Sequence, residues 1–548
     1  PARTAIITGL YPSSSGGLHM RSMVSLPKHI RALPQILRDA GFYCSNNSKT
    51  DYNVRFIGKA WDESSNKAHW RNRGKNQPFF AVFNSTKSHE SQIRTRPHQA
   101  ITDPSKVRVP SYHPDTPEVR QDWAQYYDQV SQADADAGKH LSELEKSGLA
   151  DDTIVFYFAD HGSGMPRSKR WPCNSGLQVP MVVYFPPKWQ HLAPKEYVSG
   201  GTSDRLISFV DLAPTVLSLV GIQPPEWMQG HAFAGGFQAP PQPFLFGERG
   251  RMDERMDLVR SVTDGRYVYL RNFFPHVSQA QRVAYQFETP TTRIWNQLYT
   301  DGKTNAAQSL FWQVPKPVEE LYDLKTDPDE VVNLADSQAH LEIRNRLREA
   351  GRDHVLRVRD VCFFPEREML ANSEGSSPYE VARNDSIYPL SRIVEAAEVS
   401  SNWREPADSR FVDRIQDSNS TIRYWGSLGF LIRGDACVLQ HEEDLIGLLE
   451  DSSVDVQIVA AQALGNYGSA NARRHSLQVL AVLADPQMQG VMVSMAALAA
   501  IEALGDHATD VRPLIGTLKT EGPSPDERYN SYVLRLIANI ARIHRAED

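Results

Sequence analysis

Cysteine is scarce in this sequence: Cys44, Cys173, Cys362 and Cys437 stand far apart and form no C-x-x-C pair. That excludes a disulfide scaffold or a zinc knuckle as the organising device and leaves the redox compartment open. No apolar run reaches the ~18 residues of a membrane span, so no membrane span is expected. A cationic excess is missing too: the formal net charge is −7, which gives no global basic field of the kind nucleic acid demands. The chain also shows no opening methionine and no leader, and starts instead on "PARTAIITGLYP".

What is there is a chain of 548 residues, 41% hydrophobic and 23% charged, with room for two or three globular domains. Up to about residue 220, the runs "GFYCSNN", "PFFAVFN", "TIVFYFAD" and "VPMVVYF" are short and rich in aromatic and β-branched residues, as buried parallel strands are. Between the second and third, Trp123, Tyr127, Val130, Ala137, Leu141 and Leu144 recur at helical spacing, which reads as a βαβ crossover. "LISFVDLAPTVLSLVG" reads as a helix ending at Gly221, and "PFLFGERG", "LVRSVTDGRYVYLRNF" and "EELYDLKTDPDEVVNLAD" then suggest a smaller sheet with turn signals such as Thr263-Asp264-Gly265.

Residues 366–410 are polar and turn-rich, as a linker is. Beyond them, over 411–548, strand signals vanish and Ala-rich helical stretches recur. The run Ala460-Ala461-Gln462-Ala463-Leu464-Gly465 is echoed forty positions later by Ala500-Ile501-Glu502-Ala503-Leu504-Gly505. That period is close to the ~40 to 47 residues of a HEAT or armadillo unit, so a short HEAT-like solenoid is expected, with an ordinary helical bundle as the alternative. Such a region would offer a surface to a protein or glycan partner.

In open α/β sheets, ligands bind beyond the carboxyl ends of the strands, so the chemistry is sought there. Lys49 follows the first run and His89 the second; Asp160, His161 and Gly162 follow the third, with Lys169 close behind. Each lysine alone is an ordinary solvated side chain, but together two lysines, two histidines and an aspartate converge on one sheet edge. A carboxylate beside an imidazole suits a metal. Cations around a metal favour a tetrahedral oxyanion, a sulfate or phosphate ester. Arg3, one turn inside a helix that Pro1 opens, adds a positive helix end. His19 and Arg21, in the Gly-rich loop beyond, are candidates to meet a substrate sugar or carboxylate.

Here the residues resemble a family. "PAR-T-x-x-x-T-G" is similar to the latter part of the signature of type I sulfatases of the alkaline-phosphatase-like superfamily, Cys (or Ser)-x-Pro-x-Arg followed by Thr-Gly. The likeness runs on through "SNNSK", "STKSH", "YFADHG", "SKRWPCNSGLQVPMVVYFP" and "LYDLKTDPDEVVNLA". It covers about residues 1 to 365, and its layout looks most similar to the heparan-sulfamidase-like branch and its bacterial relatives. The resemblance implies an α/β alkaline-phosphatase-like sandwich with a mainly parallel central sheet over 1–235 and a smaller antiparallel subdomain over 236–365; the helical repeats lie beyond it.

It also implies a mechanism. The signature Cys or Ser becomes formylglycine, whose hydrate attacks sulfur; the alcohol or amine leaves, and sulfate is eliminated as the aldehyde reforms. That residue is expected two positions before Pro1, so the sequence reads as N-terminally truncated and, as it stands, inactive. Arg3 would hold the formylglycine and metal ligands, Lys49 and Lys169 would bind sulfate oxygens, and His89 would bind or protonate the leaving group. Asp160 and His161 would ligate the metal, expected to be Ca2+, with Mn2+ or Zn2+ less favoured. Two further ligands, an Asp pair, would lie upstream. Members of the family that degrade glycans usually work in the periplasm or outside the cell.

Two positions depart from the family pattern. Asp51 stands where many sulfatases have a histidine, and it carries the opposite charge from an imidazolium. The metal pair is Asp-His rather than Asp-Asn, a softer set that related phosphonate and phosphodiester hydrolases use. The sequence therefore supports a sulfatase acting on a sulfated carbohydrate, as an O-sulfate or an N-sulfate. The alternatives are a metal-dependent phosphoester or phosphonate hydrolase, or a non-catalytic HEAT-repeat binding protein with a degenerate catalytic domain.

Overall fold

The computed structural model describes residues 1–405 and 409–545; the expected linker's residues 406–408 and the expected solenoid's 546–548 lie outside the described residues. A short parallel pair, β1 (Val24–Ser25) and β3 (Val54–Arg55), flanks a parallel sheet in which β2 (Tyr43–Asn47) lies between β4 (Glu63–Ser64) and β5 (Phe79–Phe83). The register sets Tyr43 against Phe79 and Asn47 against Phe83, so the two strands end level. Both polar ends are stitched by amides: Asn84 Nδ2 donates to Asn46 Oδ1 at 3.0 Å and to the Asn47 carbonyl at 2.9 Å.

The third and fourth apolar runs form β6 (Val155–Phe158) and β7 (Met181–Tyr184), which pair antiparallel with each other. The expectation of one mainly parallel sheet is corrected accordingly: among the described residues, β6 and β7 stand apart from the β4-β2-β5 sheet. Apolar content signals a strand but carries no direction, which long-range pairing decides. The crossover helix is present as Pro117–Lys146, with Thr116 capping its start through a bond from the Val119 N–H and Pro117 in the first turn. Its inward stripe is narrower than expected. Val119, Trp123 and Leu144 are buried, whereas Tyr127, Val130 and Leu141 are exposed.

A four-stranded antiparallel sheet follows in the order β11-β10-β9-β8, with β8 Leu245–Arg249, β9 Val259–Thr263, β10 Tyr267–Asn272 and β11 Glu319–Asp323. The helix Leu341–Val358 packs on it.

Residues 366–401 are not a linker. They carry helices Glu366–Asn372, Pro378–Val381 and Leu390–Ser401, whose Met369, Val381, Leu390, Ile393 and Ala397 are buried. The polar run "NSEGSSP" that suggested a linker only separates the first two. From there the described chain is helical to its end. The forty-residue echo maps onto helices Val454–Tyr467 and Val491–Ala503, which pack together. A Cβ on Gly465 would meet Leu504 at 2.8 Å, so the small residue is needed where the two copies touch. The largest hydrophobic cluster joins Leu10, Leu18 and Val24 through Phe273 and Phe363 to Trp425, Ile501 and Leu536. The helical region therefore shares one core with the α/β part. Among the described residues no helix is long and apolar enough to cross a membrane.

Candidate active site

One cavity of about 1430 Å³ collects the strand-end residues: Arg3, Lys49, Asp51, His89, Asp160, His161 and Lys169 all line it. Arg3, on the helix Ala2–Thr8, donates through Nη2 to Asn84 Oδ1 and sets Nε 3.5 Å from Asp160 Oδ2. It thus ties the end of β5 to the loop after β6. Asn46, at the end of β2, donates Nδ2 to the Lys49 carbonyl at 3.2 Å. Lys49 Nζ is 3.4 Å from Asp51 Oδ2. Asp51 sits at φ +48, a left-handed conformation that aspartate tolerates better than most residues. The unusual Asp51 therefore faces the first lysine as its counter-ion.

Lys169 Nζ lies 3.3 Å from His89 Nε2 and 3.3 Å from Glu90 Oε2. On the other side of the ring, His89 Nδ1 accepts the Ser91 N–H at 3.3 Å and lies 2.9 Å from Ser91 Oγ. Burial, with Lys169 and Lys49 nearby, pushes the His89 imidazole down to about 4, so it is neutral near pH 7. Burial likewise lowers Lys169, although the Glu90 carboxylate opposes this. Glu90 is wholly buried and also takes Arg170 Nη1 at 3.0 Å. Burial tends to raise its carboxyl, but Arg170 and Lys169 outweigh that and hold it below the usual range.

Asp160 Oδ1 and His161 Nε2 are 3.5 Å apart, near the ~3 Å that separates neighbouring donors on a cation with ligand bonds of ~2.3 Å. His161 Nδ1 lies 2.7 Å from the Gly162 carbonyl, which takes its proton and leaves Nε2 free to ligate. Burial works to raise the Asp160 carboxyl, but His161, Arg3 and the two lysines hold it down and ionised. These two donors fit a cation. Among the described residues no group of three or more His, Cys, Asp or Glu side chains is placed to hold a metal ion.

Of the two loop candidates, Arg21 lines the cavity. His19 does not. It is wholly buried, with Nδ1 accepting the Arg251 N–H at 3.0 Å, and Gly250 packs so closely that a Cβ there would be 2.7 Å from that nitrogen. Its expected contact with substrate is corrected: the loop folds under the antiparallel sheet's chain, which seals the imidazole. Sequence reasoning missed Asn46, Asn84, Glu90 and Arg170, which hold the reactive groups in place. Glu90 and Arg170 stand directly beside His89 and Lys169 in sequence, and that adjacency was the available signal. It also missed Arg528 and Arg535, cavity-lining residues from the far end of the chain.

Residues 44–222 match the family described as Sulfatase. An ulvan-active sulfatase of Formosa agariphila is 35% identical over 458 residues, which cover 73% of this chain and 75% of the relative. Human N-sulphoglucosamine sulphohydrolase is 29% identical over 266 residues, 45% of this chain and 50% of the relative. A solved 2-O GAG sulfatase superposes with a TM-score of 0.45 at 17% identity, covering 66% of this chain and 82% of that one.

Proposed function

The chain belongs to the sulfatase family, and from that premise we propose that it hydrolyses the sulfate ester, or the N-sulfate, of a sulfated glycan. The observation that carries this reading is the convergence of Lys49, Lys169 and His89 with Asp160 and His161 on one cavity. In this reading the two lysines take sulfate oxygens and neutralise the charge that grows as the S–O bond breaks. Asp51 and Glu90 hold them at their stations. Arg3 fixes Asp160 and the end of β5. His89 is neutral in the free protein and so begins as a hydrogen-bonding partner of the leaving group. Its pKa rises when a bound sulfate offsets the lysines, which lets it hold the proton that the leaving oxygen or nitrogen needs.

A cation, expected to be calcium, would supply Lewis-acid stabilisation of a sulfate oxygen, held on this chain by Asp160 and His161. The attacking group expected of the family, a formylglycine made from Cys or Ser, belongs two positions ahead of Pro1 in the signature. The ulvan-active relative supports a sulfated glycan such as ulvan as substrate, and a periplasmic or extracellular setting is part of the same proposal. The helical region is read as a short HEAT-like repeat array, which the packing of Gly465 against Leu504 supports.

The Asp160–His161 pair keeps a second reading, a phosphoester or phosphonate hydrolase, because imidazole also suits softer divalent metals. The test is sulfate release from ulvan oligosaccharides by the full-length protein, compared with phosphate release from matched phosphate esters. Faster sulfate release is expected; faster phosphate release would overturn the proposal in favour of the second reading.

A further inference from the structure

The cavity has a second cationic wall. Arg21 contributes to it from the loop after the first helices, and Arg528 and Arg535 from the far end of the helical region. Arg21 stands at φ +64, a left-handed conformation that costs energy for a non-glycine residue and is often found at ligand clamps. Its backbone N–H is held by Asn53 Oδ1 at 2.9 Å. Its guanidinium makes no hydrogen bond or ion pair among the described residues; it lies over the ring of Tyr532, 5.4 Å from the centroid. Tyr532 is fully buried on the helix Asn530–Arg545, and its hydroxyl has no hydrogen-bond partner. Arg535 lies over the same ring, also at 5.4 Å.

The charges around these arginines are unevenly matched. Arg535 is paired with Glu254 at 3.2 Å and shares Asp253 with Arg170. Arg528 is paired with Asp526 at 2.8 Å and is half exposed. Arg21 makes no close ion pair among the described residues; the Asp253 and Asp526 carboxylates, each paired more closely with another arginine, feel its charge at longer range. The Asp526 hydrogen bond does most to push the Arg528 guanidinium up, and Asp51, which faces Lys49, adds to it, so this wall borders the lysine side of the cavity.

We propose that Arg21, stacked on Tyr532 and flanked by Arg528 and Arg535, forms a second anion subsite that binds a carboxylate or a second sulfate on the same glycan whose sulfate is removed. The inference rests on the sulfatase reading above and adds a substrate class to it: glycans bearing a further negative charge near the scissile sulfate. It also gives the helical region a role in substrate selection. Planar guanidinium groups match the oxygens of carboxylate and sulfate alike, which is why the two sources share one chemistry.

Calorimetric titration of the full-length protein tests this with three probes: a monosulfated disaccharide bearing a uronate, the same disaccharide with the carboxyl reduced to an alcohol, and the reduced form carrying a second sulfate. The wild type is expected to bind at least one doubly charged probe about ten- to a hundredfold tighter than the reduced monosulfated one. Arg21→Gln and Arg528→Gln should each weaken the doubly charged probes at least about tenfold more than the reduced probe. Arg21→Lys, which keeps the charge, should recover part of the preference and so separates charge from packing on Tyr532. Whichever doubly charged probe is preferred identifies the source of the anion. No preference in the wild type, or an equal loss for all probes in the variants, would overturn the subsite. If the reduced probe is bound and desulfated without any charge preference, only the subsite fails; if no probe releases sulfate, the sulfatase reading fails.

Discussion

Lys169 Nζ lies 3.3 Å from His89 Nε2, a partly buried cation set against an imidazole that burial and two lysines keep neutral. The lysine therefore adds to burial in keeping the histidine neutral. In Lys169→Met the imidazole loses its nearest positive neighbour, and its pKa should climb from about 4 toward the ordinary histidine value, as read by NMR titration of the ring protons. Sulfate release should fall by about 10²- to 10³-fold, the usual consequence of removing one charge-stabilising donor. An unchanged or lower His89 pKa would show that burial alone sets it.

Glu90 predicts a pH dependence of stability. Its folded-state carboxyl is held below the ordinary range by Arg170 and Lys169, despite burial. A depressed carboxyl stabilises the fold above its unfolded pKa of about 4.3, and that contribution is lost as pH falls through the lower folded value. The wild type should lose stability on acidification through this window, and Glu90→Gln should lack that component. At pH 7 the variant should be less stable by about 3–5 kcal/mol, because the buried Arg170 and the partly buried Lys169 lose their shared partner. Urea unfolding at pH 7 and at a series of pH values from about 4.5 downward measures both effects; equal acid sensitivity in the two proteins would sink the argument.

The positions of Lys49, His89, Asp160, His161 and Lys169 were legible in the sequence because each follows a strand-like run, and strand ends are local features. The rest depended on contacts far apart in the chain. Whether β6 runs with or against its neighbour, that His19 is sealed under Arg251, and that Arg528 returns to the cavity more than five hundred residues after Arg21 are settled by packing that no local pattern encodes. The polar stretch after residue 366 misled for a related reason. Its apolar residues are sparse in sequence and become a core only when the helices from Leu390 onward close over them.

The metal proposal has its own test. Chelation of divalent cations should abolish sulfate release, and calcium should restore it at lower concentration than manganese or zinc. His161→Ala removes one donor and should raise the calcium needed for half-restoration by at least the roughly 10- to 100-fold that even an outer-shell partner is worth. Activity that survives exhaustive chelation would remove Asp160 and His161 from a metal role.

Gly162 tests how tightly the loop after β6 is held. Its N–H donates to the Gly176 carbonyl at 2.9 Å, and a Cβ at this position would stand 1.9 Å from the Ser175 carbonyl oxygen, so Gly162→Ala must displace the backbone beside His161. A misplacement of about 1 Å costs on the order of 100-fold in rate. The control is Gly138→Ala, in the middle of the helix Pro117–Lys146 with open space around it. It should leave sulfate release intact and stabilise the protein by about 0.5–1 kcal/mol. Comparable activity in both variants would mean that the Gly162 turn yields without moving the site.

Trp425 joins the helical region to the rest of the molecule. It is buried on the helix Ser420–Arg433, its Nε1 donates to the Phe363 carbonyl at 2.9 Å, and its ring lies against Phe273, Phe274 and Phe363. Those partners come from the antiparallel sheet's chain and the segment after it, so the contact spans the boundary at which a tethered module would begin. Trp425→Ala should cost about 3–5 kcal/mol, the range for emptying a large aromatic site in a core. Because Arg535 lines the cavity on the helix whose Tyr532 belongs to this shared core, the loss should appear as one lowered calorimetric transition, with sulfate release lost over the same temperature range. Two separated transitions, with only the lower one shifted by the substitution, would mean that the helices fold as an independent unit and that their arginines can leave the cavity without unfolding it.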